Sequence, residues 1–167
     1  MEIQTNLSKV VNSWVRKKIN QLSSVEKIQA GVKENETYEN GVSLSKVMLC
    51  NEFGTSKIPS RPALRITIKD NLEEWYNILI KELEKEKTLL QASHVIGLKM
   101  KADIIKSISS DIPPVNSLTT LIAYRKYLQG KKLSKNKVVQ GVLDKKTLIF
   151  TGKLVKSMTY QVFRKKK

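Results

Sequence analysis

The chain has 167 residues, 40% hydrophobic and 28% charged, which is the size of one domain with material for one core. Its formal net charge of +16 points to polyanionic neighbours, and a single cysteine, Cys50, excludes an internal disulfide. No apolar run reaches the roughly 18 residues that a membrane-spanning helix requires, so no membrane partner is expected.

The opening Met-Glu-Ile-Gln-Thr-Asn lacks the basic region and apolar run of an export signal, and folding in a reducing cytoplasm is expected. Residues 1–22 read as an N-terminal helix. Leu7, Val10, Val11, Trp14 and Ile19 fall on one side, and Thr5 or Asn6 can cap the start. Val25–Val32 alternates in part and predicts a strand, and the polar stretch from Lys33 to Asn40-Gly41 predicts a loop.

A short helix is expected over Ser43–Phe53, with Leu44, Val47, Met48 and Phe53 inward and Gly54 as a left-handed C-terminal cap. Cys50, next to Val47, Met48 and Leu49, reads as a packed thiol. Pro59 and Pro62 break the link that follows, and Pro62 suits the first turn of the next helix. That helix is long, about residues 62–90, with Ile68, Leu72, Trp75, Leu79 and Leu83 inward.

A further helical pattern over Ser93–Ser110 uses Val95, Leu98, Ala102 and Ile105, and Pro113-Pro114 stops it. Ser117–Leu128 predicts another helix, leading into a basic loop, Gln129–Lys137. The end of the chain reads as Thr147–Phe150, a Thr151-Gly152 turn, one helical turn, and a strand over Met158–Phe163. The expected fold is α+β: a single domain, 1–167, in which a small antiparallel sheet packs with several helices, and residues 164–167 form a basic tail.

Catalytic signatures are missing. There is no phosphate-cradling glycine motif, no metal-ligand spacing and no nucleophile elbow, and the only histidine, His94, lies in a helical pattern. The expectation is therefore no enzyme, no metal and no cofactor. Zinc-finger, zipper and helix-turn-helix signatures are missing as well. Charge is the stronger signal. From Tyr124 onward there are fourteen Lys/Arg against Asp144 alone, a net of +13, while residues 1–123 carry only +3. Lys131, Lys132, Lys135, Lys137, Lys145 and Lys146 are the candidate contacts to phosphates. Tyr124 and Tyr127 beside Arg125 and Lys126 give a faint version of an aromatic, basic single-strand surface.

One corner combines unusual residues. In Asn51-Glu52-Phe53-Gly54-Thr55, Phe53 and Gly54 can anchor a chain reversal, and Arg61 and Arg65 project from the start of the long helix. Their guanidinium groups can fork onto a carboxylate, from Glu52 or from another subunit.

N-E-F-G-T, a short link and I-P-S-R-P-A-L-R resemble the tail-completion, or neck, proteins of long-tailed bacteriophages. Three more stretches agree in order. I-Q-A-G-V followed by Y-E-N-G is similar to the family's early strand and turn. P-P-V-N-S-L-T resembles its P-P-N-S-x-x-T element with Val115 inserted, and L-I-F-T-G-K-L-V-K-S-M-T-Y resembles its closing segment. Ala63 stands where an aromatic is usual, and Phe150 where the family has Asp.

The likeness spans about residues 25–163. It implies a non-enzymatic virion protein of the neck, assembled in the bacterial host cytoplasm, that completes the tail or joins head to tail. A homo-oligomeric ring around packaged double-stranded DNA is implied, with portal or connector and tail-tube or tail-terminator proteins as partners. Glu52, Phe53, Gly54, Arg61, Pro62, Arg65, Thr151 and Gly152 would form its structural or interface corner. The competing expectation is a sequence-independent DNA-binding protein of a prophage or mobile element.

Overall fold

The computed structural model describes residues 24–131, 133–149 and 151–165. The helix expected over residues 1–22, together with Lys132, Phe150 and the last two lysines, lies outside them. In chain order the elements are β1 (Val25–Val32), α1 (Leu44–Phe53), α2 (Ala63–Glu84), α3 (Leu89–Ile108), α4 (Leu118–Gly130), α5 (Lys135–Leu143), the single turn α6 (Lys153–Lys156) and β2 (Met158–Arg164). The strands pair as a two-stranded antiparallel sheet, so the fold is α+β. Contacts divide the chain into two units. Among the described residues, one comprises 24–30, Glu73–Met100 and 160–165, and the other comprises Gly31–Leu72 and Lys101–Thr159.

In the first unit, the Lys165 N–H donates to the Ser24 carbonyl at 3.1 Å, and the Lys27 amine lies 4.5 Å from the Phe163 ring centroid. Trp75, Ala92 and Ile96 supply its buried apolar side chains. The Tyr160 ring packs edge-on to His94, with centroids 5.9 Å apart, and lies against Gly97. A Cβ at Gly97 would sit 2.2 Å from Tyr160 Cδ2, so the missing side chain is what admits the ring.

The long helix stops at Glu84, short of the expected residue 90, because Glu86 takes a positive φ of 59°. Lys85 and Lys87 both bond the Glu82 carboxylate at that end and hold its pKa below the ordinary range. The next helix begins earlier than expected, at Leu89. Thr88 Oγ1 accepts from the Gln91 N–H, while Gln91 Oε1 accepts from the Thr88 N–H. This is a capping box, Thr-x-x-Gln, legible in T-L-L-Q.

In the second unit, the Lys33 N–H donates to the Ser157 carbonyl at 2.8 Å. Leu44, Met48, Ile104, Ile108 and Leu154 are buried in its core. The buried faces of α2 and α3 differ from the expected ones. Ile68 and Leu72, expected inward, are 48% and 43% exposed, whereas Ala63 and Thr67 are buried. Small residues make the close crossing here: Ser107 Oγ of α3 donates to the Ala63 carbonyl at 3.1 Å, and Thr67 Oγ1 satisfies itself on the same oxygen at 2.7 Å. That phase turns Ile68 and Leu72 outward. On the part of α3 in this unit, likewise, Ile104 and Ile108 are buried while Ala102 faces solvent, and on its first-unit part Ile96 is buried and Leu98 exposed. The loop expected over Gln129–Lys137 is shorter, because α5 begins at Lys135. Leu128 of α4 and Val138 of α5 are buried, and a Cβ at Gly141 would stand 2.8 Å from Leu128 Cδ1.

Gly97→Ala should lower stability by about 1 to 2 kcal/mol, because an aromatic ring must move out of the new methyl's way. Gly130→Ala, with open space around its Cβ position, should instead raise it by roughly 0.5 kcal/mol through helix propensity. Chemical denaturation of the two variants checks the contrast, and equal shifts would refute the close-approach account.

Candidate functional site

The corner between α1 and α2 is organised by Glu52, whose side chain is almost completely buried. Its carboxylate faces the first turn of α2. The backbone N–H groups of Leu64 and Arg65 donate to Oε2 and Oε1 at 2.9 and 3.0 Å, and Arg65 Nε adds a third bond at 3.0 Å. A helix N-terminus offers unpaired N–H groups and a partial positive charge, so a carboxylate there serves as both cap and counter-ion. The Glu52 carbonyl is engaged too, by Arg65 Nη2 at 2.6 Å and Ser60 Oγ at 2.8 Å.

Two other residues set the path of the link. Gly54 has φ +77° and ψ 174°, which is a glycine conformation but an extended one, not the left-handed helical cap expected. Its N–H donates to the Cys50 carbonyl, and a Cβ on it would stand 2.9 Å from the Ser60 nitrogen. Pro62 precedes the helix as its cap and accepts from the Ile66 N–H at 3.0 Å, one position before the expected first turn.

The arginines divide the work. Arg61 is only 6% exposed, and it donates from Nε to the Pro114 carbonyl at 2.9 Å and from Nη2 to the Val115 carbonyl at 3.2 Å. It faces the fold and holds the loop that contains the cis Pro113-Pro114 bond. Arg65 stays at the surface with its guanidinium 5.1 Å from the Phe53 ring centroid. Phe53, expected to point inward, is 65% exposed, because it lies on the outer side of α1 with Leu49 one turn back. The buried side of α1 is instead Leu44, Met48 and Glu52.

The basic segment is more varied than its sequence. Lys131, Lys135 and Lys137 are exposed around the α4–α5 turn. Lys146 is ion-paired with Asp111 at 2.7 Å, both partly exposed, a pair worth little. Lys145 is half-buried. Its amine donates to the Lys146 carbonyl at 2.5 Å and to the Ile149 carbonyl, and it lies 5.1 Å from the Tyr124 centroid. Burial, then the nearby Arg61, pushes its pKa down to about 8, with Asp111 opposing. The Ile112 N–H donates to Thr147 Oγ1 at 3.1 Å, which stitches the same segment to the proline loop.

Thr151 and Gly152 make the turn that leads into α6. Gly152 is left-handed at φ 76°, and Thr151 Oγ1 accepts from the Lys153 N–H at 3.3 Å. Together with Tyr38, Glu39, Asn40 and Tyr127, the residues Thr151, Lys153 and Lys156 line a cleft of about 670 Å³. Sequence reading passed over Tyr38, Lys153 and Lys156, although Y-E-N-G and T-G-K are the motifs that carry them. No group of acidic, histidine or cysteine residues suited to a metal occurs among the described residues. No protein-family model matches this chain, and no curated protein or solved structure matches it.

Glu52→Gln should cost about 2 to 4 kcal/mol, since its amide turns donors toward donors at a buried site. Gly54→Ala should cost about 1 to 3 kcal/mol for φ and for the Ser60 contact. Denaturant midpoints measure both, and losses under 0.5 kcal/mol, on the scale of ordinary surface changes, would refute the corner's structural role.

Lys145 generates a pH signature. Its folded pKa lies below the unfolded value of about 10.4, so between pH 8 and 10 the unfolded chain binds more protons, and stability rises with pH across that window. Below pH 8 the cost of the buried charge is fully present. Lys145→Met should flatten that rise in a series of denaturation midpoints. An unchanged slope would show that Lys145 does not titrate there.

Proposed function

We propose that this chain is a structural virion protein of the bacteriophage neck, completing the tail or joining head to tail as a ring around the DNA channel. The observation that carries this reading is the meeting of motifs far apart in sequence. Arg61, from the I-P-S-R-P-A-L-R stretch, bonds the carbonyls of Pro114 and Val115 in P-P-V-N-S, and Glu52 of N-E-F-G-T caps the helix that Pro62 introduces. The four stretches behind the family resemblance therefore include two that form one built corner.

In this reading the corner's outer face is the contact with a neighbouring subunit. Leu49 and Phe53 present an apolar pair one turn apart, with Arg65 laid over the ring, on a helix whose other side is fixed by Leu44, Met48 and Glu52. Exposed aromatic and arginine side chains held rigid in this way suit a subunit contact. The exposed Lys131, Lys135 and Lys137 then offset the field of packaged DNA without reading bases. A sequence-independent DNA-binding protein is the second reading, and the +13 balance of the final 44 residues favours it.

Phe53→Ser should leave the denaturation midpoint nearly unchanged and yield particles whose filled heads and tails remain separate. An electron-microscopy map of the wild-type particle should contain a ring of this chain at the neck. Normal joining by the variant, or a neck map with no density for this chain, overturns the reading. Tight, strongly salt-dependent binding to free duplex DNA by a monomer would favour the second.

A further inference from the structure

We infer that the cleft between the 38–40 turn and the 151–156 segment is a binding site for unpaired nucleic acid, taking one nucleotide unit of a single strand. Its walls are Tyr38, Val47 and Tyr127, and its polar groups are Asn40, Thr151, Lys153 and Lys156. Lys131 does not line the cleft but lies beside one of its walls, its amine 4.7 Å from the Tyr127 centroid. The cleft's volume of about 670 Å³ is in the range of small-ligand pockets.

The chemistry favours a flat, anionic occupant. Lys153 and Lys156 share the lining with a single carboxylate, Glu39, and Lys131 adds a third amine next to Tyr127. Tyr127 pairs with Tyr124 in a stacked arrangement, centroids 6.0 Å apart and planes at 24°. Its side chain, chiefly through a hydrogen bond, holds the Lys131 amine above its ordinary pKa. Burial pushes the Tyr38 phenol up as well. Aromatic rings interleaved with amines are the general means by which proteins hold single strands without reading sequence. A rigid duplex is too wide to enter a recess of this volume, whereas an unpaired nucleotide has the size and the charge.

The site rests on the proposed function only in taking nucleic acid as the polyanion, and purified full-length protein tests it without virions. Fluorescence anisotropy with a labelled twelve-residue oligothymidylate is the assay. A twelve-base-pair duplex and an oligoglutamate peptide are competitors. Lys153→Gln/Lys156→Gln should weaken binding about tenfold or more and reduce the slope of log affinity against log salt by about 1.4, at 0.7 per single-strand phosphate contact. Tyr127→Leu should lose about tenfold, in the range of one lost base–aromatic contact, and Lys135→Gln/Lys137→Gln should lose less than either. Circular dichroism on each variant verifies folding, and the surface lysine pair keeps the test valid if Tyr127→Leu unfolds. The inference is overturned if the cleft variants bind like wild type, if the duplex competes better than the oligothymidylate itself, or if the acidic peptide does. Because particle joining is scored separately, failure here leaves the neck reading standing, and failure there leaves this site standing.

Discussion

A carboxylate buried at the start of a helix is the constraint on which this architecture turns. Glu52 lies in the last turn of α1, yet its two oxygens serve the first turn of α2, twelve and thirteen residues onward. Burying that charge is tolerable only because backbone donors and the Arg65 guanidinium converge on it. The eleven residues from Gly54 to Leu64 are consequently forced into a tight return, and Gly54 and Pro62 are the residue types that such a return accepts. Arg61 then carries the constraint outward. With its head group in the fold, and its backbone N–H bonded to the Asn51 carbonyl at 2.6 Å, it hands the geometry of the corner to the loop around Pro114. From that loop Thr147 and Lys146 extend it to the basic C-terminal segment.

The pattern of what the sequence revealed follows from the range of the interactions involved. Strand Val25–Val32, the first helix and the closing turn and strand depend on local spacing and punctuation, and they appear where the residues place them. The faces of α2 and α3 do not. Periodicity ranks Ile68, Leu72 and Leu98 as core because they are large and apolar, but a close helix crossing selects small residues, and only the partner helix reveals where that crossing lies. Phe53 lies opposite to its expected side for the same reason. A buried Glu52 on the opposite side of α1 is invisible until its donors, twelve residues away, are in place. The short α5 is not legible in the sequence because its lysines and asparagine suit a loop as well as an exposed helix, and the burial of Val138 decides between them.

The candidate site was legible in part. The residues around Glu52 stand out together in the local motif, while their directions do not: of two similar arginines, one is internal and the other superficial. Charge density was an equally coarse guide. Six lysines looked equivalent along the chain, yet half-buried Lys145 bonds carbonyls and Lys146 meets Asp111, which leaves Lys131, Lys135 and Lys137 as the described solvent-facing set. The cleft lysines, 153 and 156, drew no notice because they sit singly in a motif read for its glycine.

The corner also explains how one residue cluster can be structural and still present a surface. Polar groups that are buried and fully bonded rigidify their surroundings, and the rigid object here is α1, pinned at its end through Glu52. Its outer side, Leu49 and Phe53, is thereby displayed in a fixed orientation at no further entropic cost when something docks against it. Arg65 links the two sides: its Nε bonds the buried carboxylate while the same guanidinium covers the exposed ring. A lysine in that place would keep the charge and lose the planar fork that reaches both. Under the proposed subunit contact, stability and recognition at this corner would be joined through a single planar side chain.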